Sequence, residues 1–387
     1  MKIVHIAPNA PYNDGWGYQD NLLPKYHLKA GHEVTFIATD TAHVNGKIEK
    51  VPCETFVSKE GVKVMRLARK EYGSRVITSL CSKMDVYPVL KQLRPDLVFF
   101  HGLLSTTVFD AIRYKKRDNP DCVIVQDNHM DYFNQAYHKG LKFRVIRAWY
   151  RMVNRRSISS VAKVYGVTPL RKRYAEDYFH INKRKTDVLI MGADDEKLDF
   201  ANRQAIRDKI REKYGVGDKD FLIVTGGKID SGKNIHLLIR ACADLSRVKL
   251  LIFGNAAESF KKEFAEIVAS TKNAMHIGWI DADKVYDYFF AADLVAFPGT
   301  HSVLWEQACA SKCPCLFKEW DGMDHVNNGG NSAFISDVTV ESLCAKIKDL
   351  QYTSAYHDMK KVAESNATDI YLYSHIAEKS VECVDLT

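Results

Sequence analysis

The chain has 387 residues, 46% hydrophobic and 27% charged, which excludes disordered, collagen-like and disulfide-scaffold classes. Its length suits two or three domains at roughly 150 residues each. The formal charge of +7 is concentrated: residues 139–185 hold fourteen Lys and Arg against Glu176 and Asp177, so the remainder is net acidic.

Taken in order, short apolar runs alternate with segments of helical period. The first half reads KIVHIA (2–7), EVTFIA (33–38), VKVMRL (62–67), LVFF (97–100), CVIVQ (122–126) and KVYGV (163–167). The second reads FLIVTGG (221–227), VKLLIF (248–253), MHIG (275–278), DLVAF (293–297) and PCLF (314–317). Near-continuous apolar strands of this length belong to parallel sheets covered by helices on both faces. The alternation occurs twice, which predicts an α/β protein of two doubly wound, Rossmann-like domains facing across a cleft. The boundary is expected near Leu189–Phe200, where IMGADDEKLDF breaks the pattern. The first domain is read as 1–188 plus a helical return at about 370–387, the second as 189–369.

Leu97–Phe109, the longest stretch without Asp, Glu, Lys or Arg, is far shorter than the about 20 residues a membrane-spanning helix needs. The opening MKIVHIAPNAPYNDGWG, broken by His5 and Pro8, is not read as a signal peptide. Nine scattered cysteines lack zinc spacing and read as thiols in a reducing cytosol, with Cys313-Pro-Cys315 in the core.

Ligands of open parallel sheets bind beyond the carboxyl ends of the strands, so chemistry is sought there. Gly15 and Gly17 flank Trp16 after the first run, without the third glycine of a dinucleotide fingerprint. FLIVTGGKIDSGKN ends a strand on Gly226 and Gly227, with Lys228 and Lys233 following. It is not a Walker motif, since Asn234 stands where Ser or Thr is needed. Two cations here suit a diphosphate whose charge grows as it leaves. Glu306, in the first turn of a helix after a buried strand, is placed to accept hydroxyls, or else complements a helix dipole at the surface. Asp127, Asn128 and His129 end the CVIVQ strand, and His101 ends LVFF. Either histidine reads as a cleft donor or as structural, with His129 the better candidate.

These segments, with GHEV (31–34), FGN (253–255), GWIDADKVYDYFFAADLVAFPG (278–299) and WEQACASKCP (305–314), occur in an order that resembles the retaining GT-B-fold glycosyltransferases. The likeness is to the family 4-like group of bacterial polysaccharide and glycan glycosyltransferases. The resemblance implies that Lys228 and Lys233 grip the diphosphate of a nucleoside-diphosphate sugar, UDP-sugar first, beside Gly227. It implies that Glu306 bonds the ribose, that the loop Ser302, Val303 and Leu304 faces phosphates and sugar, and that Gly15 and Gly17 belong to a loop near the diphosphate. His129 matches a histidine that contacts the donor sugar. The group usually carries a second glutamate eight positions before the first, and here that position is Pro298, so Thr300 or His301 is the candidate substitute.

The implied activity is hexosyl transfer to a glycan or lipid-linked saccharide in cell-surface polysaccharide or glycoconjugate synthesis, with no cofactor and no metal. The alternatives are a GT-B nucleotide-sugar epimerase and a catalytically impaired binding or scaffold subunit. Within the basic block, LKFRVIRAWYRMVNRR (141–156) reads as a helix with an apolar stripe of Leu141, Val145, Trp149 and Met152. Its second stripe, Arg144, Arg147, Arg151 and Arg155, is read either as the solvated face of a helix packed on its sheet or as facing a lipid-linked acceptor or an anionic membrane surface. No nucleic-acid signature accompanies it. The expected location is the cytoplasm, peripheral to the inner face of the membrane.

Overall fold

The computed structural model describes residues 1–135 and 140–384, so Lys139, the first cation of the basic block, and residues 385–387 lie outside it. The chain divides into two compact units, Met1–Ile190 with Tyr373–Thr387, and Met191–Leu372.

Unit 1 is built on strands β1 (Lys2–Ala7), β2 (Glu33–Thr39), β3 (Thr41–Val44), β4 (Lys47–Lys50), β5 (Thr55–Val57), β6 (Lys63–Leu67), β7 (Leu97–Phe100), β8 (Val123–Asn128), β9 (Lys163–Gly166) and β10 (Thr186–Val188). Eight of them form one sheet in the order β10-β9-β8-β7-β1-β2-β6-β5, parallel except for β5 against β6. Every apolar run read from this half lies on a strand; β1, β7 and β8 are buried on both faces, whereas β6 near the sheet edge is buried on one. One face packs Val4, Ile6, Val98 and Ile124. The other packs Ile3, Phe99 and Val125 with Leu22, Tyr26, Tyr373 and Ile376. The β3–β4 hairpin and β5 carry no continuous apolar run, and β4 is exposed along its whole length.

Unit 2 holds β11 (Phe221–Gly226), β12 (Val248–Phe253), β13 (Ala274–Gly278), β14 (Leu294–Phe297), β15 (Cys315–Lys318) and β16 (Ser332–Ile335). They form one parallel sheet ordered β13-β12-β11-β14-β15-β16. The strand order reverses between β1 and β7 in the first unit and between β11 and β14 in the second. Loops leaving strands on either side of such a reversal diverge and open a crevice at their carboxyl ends. Close backbone approach fixes the second crevice. A Cβ on Gly254 would stand 1.9 Å from the Gly227 carbonyl, and one on Gly299 2.4 Å from Lys233 backbone atoms.

The helix Leu141–Ser157 departs from the sequence reading. Leu141 and Val145 are 75% and 60% exposed, while Tyr150, Val153 and Asn154 are buried. The buried seam is rotated about one residue from the expected stripe, because at 3.6 residues per turn neighbouring stripes lie side by side and packing chooses between them.

Candidate functional site

In unit 2 the loops after β11 and β14 meet. The Lys233 ammonium donates to the Thr300 carbonyl at 2.7 Å and the His301 carbonyl at 3.4 Å. Asn234 donates to the Pro298 carbonyl at 2.9 Å, from the left-handed conformation in which it caps the helix Ile235–Cys242. Burial lowers the Lys233 pKa, with Asp230 opposing the shift. Lys228 remains 75% exposed at its side chain, 3.6 Å from Asp230. Gly227 has a left-handed φ of 99°, and the Leu304 side chain fills the space where its Cβ would stand. The Ser302 and Val303 carbonyls accept from the Trp305 and Gln307 N–H groups, closing the first turn of the helix Leu304–Ala310.

Glu306 is not a surface residue but 0% exposed. Its Oε1 accepts from His301 Nε2 and His325 Nε2, both at 2.8 Å. Burial alone would raise its pKa, and these two imidazoles instead hold it well below the carboxylate range. Its Oε2 is buried and has no protein hydrogen-bond partner. A full acceptor oxygen is thereby left without a partner, and a buried acceptor in that state costs about 1–3 kcal/mol. His301 clamps Glu306 through its Nε2. His325 lies in the loop that leaves β15, seven residues beyond Lys318, and was not singled out from the sequence.

The donor atoms of His301, Glu306 and His325 lie within 4.8 Å of one another, a spacing that a metal ion could also use. As placed, both Nε2 atoms stand at hydrogen-bond distance from one carboxylate oxygen, so each is accounted for as an N–H donor rather than as a lone pair.

In unit 1, Asp127 ends β8 fully buried. Its Oδ1 accepts from the Gly102 N–H at 2.8 Å. Its Oδ2 accepts from His101 Nδ1 at 2.7 Å and Gln19 at 3.4 Å, with His129 Nε2 also at 3.4 Å. Burial works against the charge, and His101 and His129 overcome it to keep Asp127 strongly ionised. The His129 side chain is 42% exposed, whereas His101 is buried. Gly15, in the loop after β1, has a left-handed φ of 74°, and Gly17 stands in open space.

The four arginines of the basic helix do not form one outward stripe. Arg147 donates to the Tyr178 hydroxyl at 3.1 Å and Arg151 to the Tyr178 carbonyl at 2.6 Å, both committed to the end of the helix Pro169–Phe179. Arg144 and Arg155 are exposed. Arg151 and Arg155 line an open, largely apolar hollow of about 570 Å³ with Ala148, Met152, Phe179 and His180.

Two Rossmann-like units, each with its polar groups at strand ends beside a reversal of strand order, define the GT-B type of architecture. A family model described as Glycosyltransferase Family 4 matches residues 23–197, and one described as Glycosyl transferases group 1 matches residues 206–366. No curated protein sequence matches the chain. Among solved structures, Anabaena Alr3699/HepE in complex with UDP superposes with a TM-score of 0.71 at 14% identity, covering 100% of both chains. A glycosyltransferase from Rickettsia africae gives 0.70 at 15% identity, covering 100% of this chain and 98% of that one. WaaG, a glycosyltransferase involved in lipopolysaccharide biosynthesis, gives 0.63 at 17% identity, covering 99% of each. The chain belongs to the GT-B glycosyltransferases of the family 4-like group.

Proposed function

We propose that the chain transfers a hexosyl group, with retention of configuration, from a nucleoside-diphosphate sugar to a glycan or lipid-linked saccharide. The observation that carries this reading is the Glu306 arrangement: an ionised, clamped carboxylate with one unspent acceptor oxygen, buried in the first turn of the helix that follows the Thr300–His301 loop held by Lys233. Glu306 Oε2 receives ribose hydroxyls, and Lys228 with Lys233 neutralises the departing diphosphate. Charge placed in advance where charge develops lowers the barrier of such a step more than any other single effect. It supplies what a divalent ion supplies elsewhere, so the reaction proceeds without a metal. UDP is the first donor nucleotide to try, a choice supported by the UDP complex of HepE. His129 contacts the donor sugar. Gly15 and Gly17 let the β1 loop approach the ligand.

The acceptor is lipid-linked and presented at an anionic, cytoplasmic membrane face. Exposed Arg144 and Arg155 beside exposed Leu141 and Val145 support this. No helix among the described residues is long and apolar enough to cross a membrane.

Calorimetry with UDP, ADP and GDP tests the donor, because a ligand held only by the folded state raises stability by mass action. UDP binding that disappears in Glu306→Ala is the expected result. Equal, weak binding of all three nucleotides, unchanged by that substitution, would overturn the assignment.

A further inference from the structure

Unit 1 buries a row of imidazoles that the transfer reading leaves unused. Phe99 of β7 pairs with His5 of β1 on one side and Val125 of β8 on the other, so His101 and Asp127 each lie two residues beyond a member of one cross-strand row. The contacts run in series. His27 Nε2 lies 2.7 Å from Ser380 Oγ and 3.3 Å from the Ala377 carbonyl. His27 Nδ1 lies 3.0 Å from His5 Nε2, and His5 Nδ1 lies 3.1 Å from His101 Nε2. His101 Nδ1 lies 2.7 Å from Asp127 Oδ2. His5, His27, His101, Asp127 and Ser380 are all buried. Phe36 and Phe99 stack on the His5 ring.

Two arrangements of ring hydrogens satisfy every link, and the Ser380 hydroxyl selects between them. The Ser380 hydroxyl donates to the Ala377 carbonyl at 2.8 Å, so both groups near His27 Nε2 present acceptors and that nitrogen carries hydrogen. A neutral His27 then accepts at Nδ1, which puts a hydrogen on His5 Nε2. His5 accepts at Nδ1 and puts a hydrogen on His101 Nε2. The Asp127 carboxylate requires one on His101 Nδ1 as well. Three rings therefore hold four ring protons, and the excess one rests on His101.

We propose that Ser380, His27, His5, His101 and Asp127 form a directional proton relay holding one excess proton, a positioning device that keeps Asp127 ionised and ties the helix Tyr373–Val381 to the end of β8. Loss of the excess proton reverses every link. His101 keeps only Nδ1–H, His5 and His27 become Nδ1–H tautomers, and the Ser380 hydroxyl turns from Ala377 to His27 Nε2. Each link passes its hydrogen one ring toward His27, so the hydrogen released is the one on His27 Nε2 at the Ser380 end, while Asp20, 3.6 Å from His101, and His129 stand partly exposed at the Asp127 end. His129 Nε2 also stands 3.4 Å from Asp127 Oδ2.

The electrostatics run the same way. Burial, then repulsion from His32, brings the His27 pKa down to about 3, and burial with its two neighbouring rings takes His5 well below 6.5. Burial also works against charge on His101, but Asp127 and Asp20 carry its pKa above 6.5.

Ring-nitrogen NMR of the ¹⁵N-histidine-labelled full chain between pH 5 and 9 tests the relay directly. The expected spectra at pH 6 show His5 and His27 as neutral Nε2–H tautomers and His101 doubly protonated. Above the His101 midpoint, His5 and His27 switch to Nδ1–H together with it. A neutral His101 at pH 6, or neighbours that keep Nε2–H after His101 discharges, would overturn the proposal. His27→Leu removes the acceptor for His5 Nε2–H, and the His101 midpoint should fall by about one pH unit. His27→Gln, whose carbonyl can accept that hydrogen, should restore it. An unmoved midpoint in both variants would overturn the coupling, and the wild-type titration decides the matter if His27→Leu does not fold.

Discussion

Each unit buries a carboxylate beside two imidazoles, Asp127 at the end of a strand and Glu306 in the first turn of a helix, and the two are wired differently. Asp127 spends both oxygens on protein donors: Oδ1 on the Gly102 N–H, and Oδ2 on His101, Gln19 and His129. Glu306 collects both of its imidazoles on Oε1 and leaves Oε2 without a protein partner. The same three chemical groups thus make a saturated internal charge in one unit and a charged acceptor with spare capacity in the other. Counting lone pairs separates a structural anion from a ligand-binding one, where burial and pKa alone do not.

Substitution should break this comparison in opposite directions. Glu306→Ala should lower kcat/KM by about 10²–10³-fold, as loss of one preorganised contact does, with a smaller effect on thermal unfolding. Asp127→Asn should act first on folding, because it strands the His101 charge, at about 3–5 kcal/mol. Melting curves beside initial rates would reverse the assignment if Asp127→Asn melted normally and Glu306→Ala did not. Lys228→Ala and Lys233→Ala should each cost about 100-fold in turnover. Lys233→Ala should also loosen the Thr300–His301 loop, visible as faster proteolysis there. Wild-type turnover in both would remove the diphosphate assignment.

Acid should expose the imidazole chain. His5 and His27 have folded-state pKa values below the ordinary 6.5, so below that pH the unfolded chain binds protons the native state refuses. Stability should fall as pH drops from about 6.5 toward 3, by at most about 2.7 kcal/mol per pH unit for two protons. His101 has the opposite sign: its contribution is complete below 6.5 and fades as pH rises through its elevated value. Urea unfolding at several pH values checks both limbs, and a flat profile from pH 7 to 5 would contradict them.

Arg144→Gln with Arg155→Gln should weaken sedimentation with anionic vesicles by about 1 kcal/mol per arginine at most, less at high salt. Arg147→Gln with Arg151→Gln should lower the melting temperature instead, since these side chains hold the end of a helix. The smallest expected effect is that of chelation. Rates in EDTA should equal untreated rates, and loss of turnover restored by Zn²⁺, Mg²⁺ or Mn²⁺ would turn His301, Glu306 and His325 from a clamp into a metal site.

The strands were legible because a run such as LVFF or FLIVTGG, buried on both faces, admits few other structures. β3, β4 and β5 were not, because exposed strands carry no apolar signature. Glu306 was readable from its place after a strand, whereas its burial and its His325 partner come from a loop 19 residues away. His5 appeared only as an interruption in KIVHIA. That interruption was the signal: a histidine inside a central parallel strand needs polar partners across the sheet, and here His27 and His101 supply them.

The return of residues 373–384 to the first unit has a consequence for synthesis. Tyr373, Ile376 and Ala377 complete the face formed by Ile3, Leu22, Phe99 and Val125, and Ser380 terminates the imidazole chain. A nascent chain that has emerged as far as residue 190 therefore holds a sheet with one side only partly covered, by Leu22 and Tyr26. The unit begun first is finished last, after all of residues 191–372 have been made. At about 5–20 residues per second, the rest of that apolar face stays unshielded for roughly 10–40 seconds on each ribosome, an interval in which chaperones can bind it.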